Sequence, residues 1–172
     1  IHALFLTNAD IRVSLHSGTT PLNDANFRQI KFCNEQTLQY LPGDINKDDA
    51  VNIINALDIY LDKVAGENDV LHFHNLNLGK NPLLTLAAYR LAKRGVRIVN
   101  HCHDFAEDRP SNLAFLRSVI QGFFNEDLQD VLYPAIENYH YAVLTGNDLK
   151  RLQKYGINES RISLLPNAVT FK

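Results

Sequence analysis

The sequence predicts an α/β protein built on a doubly wound parallel sheet, and three observations predict it. Short apolar runs of strand length alternate with longer segments whose apolar residues recur every three or four positions. Turns rich in glycine and polar residues separate these segments. The alternation repeats along most of the chain, which favours right-handed βαβ units and a parallel sheet covered by helices.

Composition places the chain among globular proteins and argues against several functional classes. With 172 residues, 45% of them hydrophobic and 21% charged, we expect a single domain over residues 1–172. A formal net charge of −2 offers no electrostatic footprint for nucleic acid, and the basic residues on predicted helices indicate solvated faces rather than a membrane-binding patch. No apolar run approaches the roughly 20 residues that cross a bilayer. Two cysteines without CxxC spacing favour a reduced, cytoplasmic setting.

The N-terminal part of the chain carries the weaker structural signals. Residues 3–7 form an uninterrupted apolar run, which predicts a first buried strand. The polar and turn-rich residues 8–26 predict a loop. Residues 28–33 alternate apolar and polar side chains, which favours another strand.

A first clear helix follows. Asp44 or Asn46 caps it, and Gly66 ends it. Its apolar residues recur at three- and four-residue steps, so we expect them to face the core: Val51, Ile54, Leu57, Leu61 and Val64.

The second helix has the sharpest boundaries. Asn81 caps it, Pro82 occupies the first helical position, where its missing N–H costs nothing, and Gly95 closes it. The remaining pattern predicts strands over 69–73, 96–100, 141–144 and 162–165, one or two helices over 112–137, and a short helix over 147–155.

Histidines mark the ends of two predicted strands. His72 and His74 end one strand, and His101 and His103 end the next. Side chains alternate along a strand, so each pair shares one face of the sheet. Ligands of open α/β sheets bind outside the carboxyl ends of the strands, so these ends predict a functional site.

Two interpretations of these histidines stay open. All four imidazoles could cluster and hold zinc, nickel or iron, with Asp104, Glu107 and Asp108 as closing ligands of a metal-dependent hydrolase. Alternatively, His72 and His101 are core residues, and His74 and His103 line a crevice. The position of the candidate carboxylates favours the second interpretation, because they follow only one of the two histidine pairs.

Other polar residues lie in the loops that leave the predicted strands. The loop with Asn75, Gly79 and Lys80 precedes a helix whose N-terminus could hold an anion, although neither GxGxxG nor a P-loop pattern is present. Asp104 either orients His103 or caps a turn. Arg109 either contacts a phosphate or is solvated, as we expect for Arg90, Lys93, Arg94, Lys150, Arg151 and Lys154.

The order of these motifs resembles the N-terminal half of retaining glycosyltransferases of the GT-B fold, family four. The likeness covers residues 69–169. Residues 69–75 (DVLHFHN) are similar to the family's histidine-bearing strand end, residues 96–104 (VRIVNHCHD) end in its His-Asp pair, and 141–169 resemble its closing block, down to LPNAV. Two features depart from the family pattern: no glycine-rich turn follows the first strand, and Ala168 replaces a usual glycine.

The resemblance implies a Rossmann-like domain that binds the acceptor, while a C-terminal domain holds the nucleotide-sugar donor. It implies that His103 is catalytic and meets the donor sugar. It places a sugar or phosphosugar acceptor near the remaining site residues, which are His74, Asn75, Gly79, Lys80, Asp104, Arg109 and Thr145. No metal or cofactor is implied.

The chain also lacks methionine, even at position 1, so we expect it to be part of a longer polypeptide. The resemblance implies that the donor-binding domain would follow Lys172, so we expect the chain to be inactive alone. A metal-dependent hydrolase and a non-catalytic binding module of the same fold remain as alternatives.

Overall fold

The computed structural model describes residues 12–19 and 31–167, which fall into two compact units, 1–39 and 40–172. The predicted strand over residues 3–7 lies outside the described residues.

The first unit contains a two-stranded parallel sheet. Strand β1 (Ser14–Ser17) pairs with β2 (Lys31–Asn34), with Leu15 opposite Phe32. The strand predicted over 28–33 is confirmed in its described part. The loop predicted over 8–26 is wrong for β1, because a strand with one large apolar side chain gives almost no hydrophobic pattern and forms through its pairing partner.

The second unit contains a four-stranded sheet in which every described pair is parallel. Its strands are β3 (Val70–His74), β4 (Arg97–Cys102), β5 (Tyr139–Val143) and β6 (Ile162–Leu164), arranged in the order β3-β4-β5-β6. Its helices are α1 (Lys47–Val64), α2 (Pro82–Lys93), α3 (Pro110–Arg117), α4 (Leu128–Leu132) and α5 (Gly146–Lys154), with a π-helical segment at Ser118–Phe123 after α3. The parallel α/β class and its alternation are therefore confirmed, and the fold is consistent with a Rossmann-like domain.

Side-chain caps fix the helix starts. Asn46 accepts a hydrogen bond from the Asp49 N–H at the start of α1, and Asn81 accepts one from Leu84 N–H, at 3.0 Å, at the start of α2. Of the two candidate caps in the sequence, Asp44 and Asn46, the structure thus selects Asn46. Val51, predicted to be buried, is 37% exposed, because the neighbouring Ala50 faces the core instead.

The order of the strands determines where the helices lie. Right-handed crossovers that step from strand to strand in one direction place their helices on the same face of a sheet. That face carries buried side chains such as Ile98, Tyr139 and Tyr141. The opposite face carries His72 and His140, which are exposed. The reversal that makes a sheet doubly wound does not occur among the described strands.

No helix in the described ranges is both long and apolar enough to cross a membrane. Cys33 and Cys102 are free thiols, and burial raises the pKa of the Cys102 thiol. A buried thiol of this kind is a packing residue rather than a nucleophile.

Candidate functional site

Four imidazoles lie together at the carboxyl ends of β3 and β4. The parallel register pairs His74 with His101, which brings the two histidine pairs side by side. Ring centroids are 4.8 Å apart for His72 and His74 and 4.3 Å apart for His101 and His103. A hydrogen bond of 3.2 Å joins Nδ1 of His74 to Nε2 of His103. The clustering expected from the two strand ends is confirmed.

The four rings differ in their exposure. His101 is 7% exposed, as expected for a core residue, and His103 is half-buried. His74 is exposed, and its place in a crevice stays a prediction. His72 is also exposed, so its prediction as a core residue is wrong. The reason is the winding of the sheet, which leaves the outward face of β3 without a described connecting helix.

The imidazoles influence each other's protonation. Loss of water from the packed ring, and then the neighbouring His72, His101 and His103, lower the pKa of His74 to about 4. Desolvation followed by neighbouring histidines also lowers the pKa of His72 and of His101, and the Leu165 backbone partly offsets this for His101. These three rings are therefore neutral at pH 7 and offer lone pairs.

Asn75 connects the loops that follow β3 and β4. It adopts the left-handed conformation, at φ 60°, and its N–H donates to the His101 carbonyl at 2.9 Å. Its side-chain oxygen accepts the backbone N–H of His103 at 2.6 Å and that of Asp104 at 3.1 Å. The Asn77 side chain donates to the Asp104 carbonyl at 2.7 Å. The structure thus places Asn75 as the residue that positions the His103 backbone.

Gly79 and Lys80 end the same loop in different environments. Gly79 has φ 77° and is buried, and an added Cβ would lie 2.4 Å from Cδ1 of Leu116 on α3. A glycine is therefore required for close packing at this turn. Lys80 is exposed. Contact of either residue with an acceptor stays a prediction.

Asp104 and Arg109 form an ion pair at the rim of the cluster. The guanidinium lies 3.2 Å from Oδ1 of Asp104, and the two side chains are 58% and 42% exposed. The Asn75 amide also lies 3.5 Å from Oδ2 of Asp104. The predicted phosphate contact of Arg109 is therefore untested, since the present structure shows the guanidinium paired with a carboxylate.

Thr145 caps helix α5. Its hydroxyl donates to the Asp148 carboxylate at 2.6 Å and accepts the Asp148 N–H at 3.2 Å. This is the ordinary role of a threonine between a strand and a helix. Its predicted place at the edge of a cleft stays a prediction.

Sequence reasoning missed a second polar cluster, next to the turn at Ala106–Asp108. Arg151, predicted to be solvated, is only 25% exposed and lies over the Phe105 ring, 4.2 Å from its centroid. It donates to Asp108 at 2.7 Å and to Glu107 at 3.4 Å. The Tyr133 hydroxyl donates to Glu107 at 2.8 Å. No sequence pattern links these distant positions, because the tertiary fold alone brings them together.

These pairings bear on the hydrolase hypothesis. Ligand atoms of His72, His74 and His101 lie within 4.8 Å of one another, and this group of potential metal ligands in the described part of the chain contains no carboxylate. The carboxylates expected to close such a site are paired with arginines instead. Asp104 pairs with Arg109, and Glu107 and Asp108 pair with Arg151.

Comparisons with known proteins favour sugar transfer. No family model matches the chain, and no solved structure matches it. The chain is 36% identical over 122 residues to mannosylglucosyl-3-phosphoglycerate synthase of Petrotoga mobilis (strain DSM 10674 / SJ95), a stretch that covers 70% of this chain and 22% of that protein. The chain thus matches about a fifth of its relative's length. It has a glycosyltransferase homologue, which supports a transferase and does not favour the metal-dependent hydrolase.

Proposed function

We propose that this chain is the acceptor-binding, N-terminal part of a GT-B glycosyltransferase that moves a sugar from a nucleotide-sugar donor to an acceptor with retention of configuration. The observation that carries the proposal is the 36% identity to a glycosyltransferase over 70% of the chain. The parallel α/β fold and the histidine-bearing ends of β3 and β4 support it, because ligands of such sheets bind at this edge.

His103 is the residue we propose to act on the donor sugar. Its backbone N–H is held by Asn75, and its ring is bonded to His74, so the ring is oriented before a ligand binds. An imidazole fixed in this way donates a hydrogen bond to a sugar hydroxyl, and such a contact is strongest when the geometry is set in advance. The nucleotide would be bound by a C-terminal domain.

The acceptor side of the proposed site comprises His74, the loop that ends at Lys80, and Arg109, with Thr145 at its edge. The relative is named for a product that carries 3-phosphoglycerate, so we propose a phosphorylated acceptor for this chain. An exposed ion pair is held weakly, so a phosphate can take the Arg109 guanidinium from Asp104 at little cost.

Assays of the full natural polypeptide test the function. It is incubated with UDP-, GDP- and ADP-sugars and with phosphorylated and unphosphorylated sugar acceptors, and products are identified by mass spectrometry. We expect a disaccharide-type product from a phosphorylated acceptor, with the donor's anomeric configuration retained by NMR. Inversion would remove the family-four assignment, and absence of transfer with every pair would overturn the proposal.

Substitution of His103 tests its role. We expect His103→Ala to lower kcat/KM for transfer about a hundredfold, the loss typical of a preorganised hydrogen-bond donor. His140→Ala is the matched control, because His140 is an exposed histidine on β5 outside the cluster. Transfer by His103→Ala at the rate of this control would show that His103 has no catalytic part.

A further inference from the structure

We propose that His72, His74 and His101 form a binding site for a divalent transition-metal ion, with Zn²⁺ as the representative ligand. The inference goes beyond the proposed sugar transfer, and it assigns no hydrolysis to the site. It rests on the geometry of β3 and β4 and on the chemistry of the three side chains.

The sheet brings the three rings to one place. His72 and His74 are two residues apart on β3 and share a face, and the register sets His101 beside His74. Centroids of His72 and His74 are each within 5.6 Å of that of His101. One ligand nitrogen from each ring lies within 4.8 Å of the others.

Only small movements would complete the coordination. Zinc–nitrogen bonds of about 2.0–2.1 Å in a tetrahedral site set ligand nitrogens about 3.3 Å apart. The three nitrogens must therefore approach by about 1.5 Å at most, given their present limit of 4.8 Å. His72 and His74 are exposed, so rotation of their side chains can supply this movement without disturbing the core.

His101 provides an independent observation. Its side chain is buried, at 7% exposure, and neither ring nitrogen has a hydrogen-bond partner of acceptable geometry in the described ranges. The Leu165 backbone, which raises the pKa of this ring, lies outside hydrogen-bond geometry with either nitrogen. Buried polar groups are normally partnered, so an unsatisfied imidazole facing two others indicates a missing ligand. A metal ion bonded to one of its nitrogens would satisfy it.

The surrounding residues suit such a site. The Nδ1 atom of His74 already contacts Nε2 of His103, which leaves Nε2 of His74 for the metal and orients the ring from behind. Three imidazoles without a carboxylate select borderline metals such as Zn²⁺, Co²⁺ and Ni²⁺ over the oxygen-seeking Mg²⁺ and Ca²⁺. A fourth position remains for water.

Metal titration of the tag-free polypeptide tests the proposal. After EDTA treatment and dialysis, Zn²⁺ is titrated by calorimetry, and Co²⁺ is followed by its visible absorption. We expect one equivalent of each metal to bind, and no binding of Mg²⁺. His72→Ala and His74→Ala should each weaken Zn²⁺ binding more than about tenfold, since even outer-shell partners change affinity by this factor.

His140→Ala is the control variant and should bind Zn²⁺ like the wild type, because His140 lies outside the group of three. Circular dichroism confirms that the variants at exposed positions are folded. Failure to bind Zn²⁺ and Co²⁺, or equal binding by wild type and both ligand variants, would overturn the proposal. Either result leaves the transfer assays unaffected, so the two proposals fail separately.

Discussion

Asn75 combines two properties at the residue scale that few side chains share. Its backbone is in the left-handed region, at φ 60°, which asparagine tolerates better than most residues. Its side-chain oxygen accepts two backbone N–H groups of the neighbouring loop, those of His103 and Asp104. The sequence predicted a ligand contact for this residue, and the structure shows that it first holds the loop that carries His103.

Substitutions of Asn75 separate these two properties. Asn75→Gly removes the two side-chain hydrogen bonds, and glycine adopts the left-handed backbone without strain. We expect this variant to lower the free energy of unfolding by about 1–3 kcal/mol. Asn75→Ala should lose roughly 1 kcal/mol more, because alanine is strained at positive φ. Urea unfolding measures both.

The exposed Asn52 on α1 gives the control for these variants, and Asn52→Ala should leave stability nearly unchanged. Equal stability of Asn75→Ala and wild type would show that the two loops do not depend on this side chain.

Individual histidines show what sequence could and could not predict about the site. Period-two spacing predicted that His72 and His74 share a face, and the parallel βαβ pattern predicted that His101 joins them. Burial was predicted correctly for His101 and incorrectly for His72. Exposure depends on what covers a strand, and local spacing carries no information about that.

At the element scale, Arg151 links helix α5 to the turn after β4, in addition to the packing of the fully buried Leu152. Arg151 bonds Asp108 and Glu107 on the turn after β4 and covers the Phe105 ring. A planar guanidinium can make these contacts together, whereas a lysine ammonium cannot.

Replacement of Arg151 tests this link. We expect Arg151→Ala to lower the free energy of unfolding by about 1–3 kcal/mol, because it removes the cation beside the part-buried Glu107 carboxylate and uncovers the Phe105 ring. Arg151→Lys should recover little of the loss. Lys150→Ala, at an exposed position on the same helix, serves as the control and should be close to neutral in chemical denaturation. Full stability of Arg151→Lys would contradict the geometric argument.

Elements with capping residues were predicted well. Asn81 caps a helix as expected, and Gly95 follows that helix at a positive φ of 98°. These signals depend only on neighbouring residues, so they can be recognised without knowledge of the fold. Strand β1 was missed because its stability comes from β2, which lies outside any local window.

At the scale of the whole molecule, periodicity predicted the parallel class but not the strand order. The described order β3-β4-β5-β6 steps in one direction and leaves one face of the sheet without a connecting helix among residues 12–19 and 31–167. That face presents the histidines. The reversal expected for a doubly wound sheet depends on which strands are neighbours, and hydrophobic patterns do not encode that choice.

Global stability should depend on pH through the histidine cluster. The pKa of His74 falls from 6.5 to about 4 on folding, so the unfolded chain binds more protons between these values. The contribution of His74 to the free energy of unfolding is therefore fully present above pH 6.5 and is lost as the pH falls toward 4. We expect a lower Tm at about pH 5 than at about pH 7.5 in EDTA, and a smaller difference for His74→Gln. Identical pH dependence of the two proteins would exclude His74 as a cause.

The sequential order of the strands also has a consequence for how this sheet forms. Each strand from β3 to β5 pairs with the next described strand in the chain, so none of these three pairings has to wait for a distant segment. Every closure spans one connection, which keeps the entropy lost at each step small. The sheet can therefore grow one strand at a time from β3 and β4, and the histidine cluster is assembled when that first pair docks.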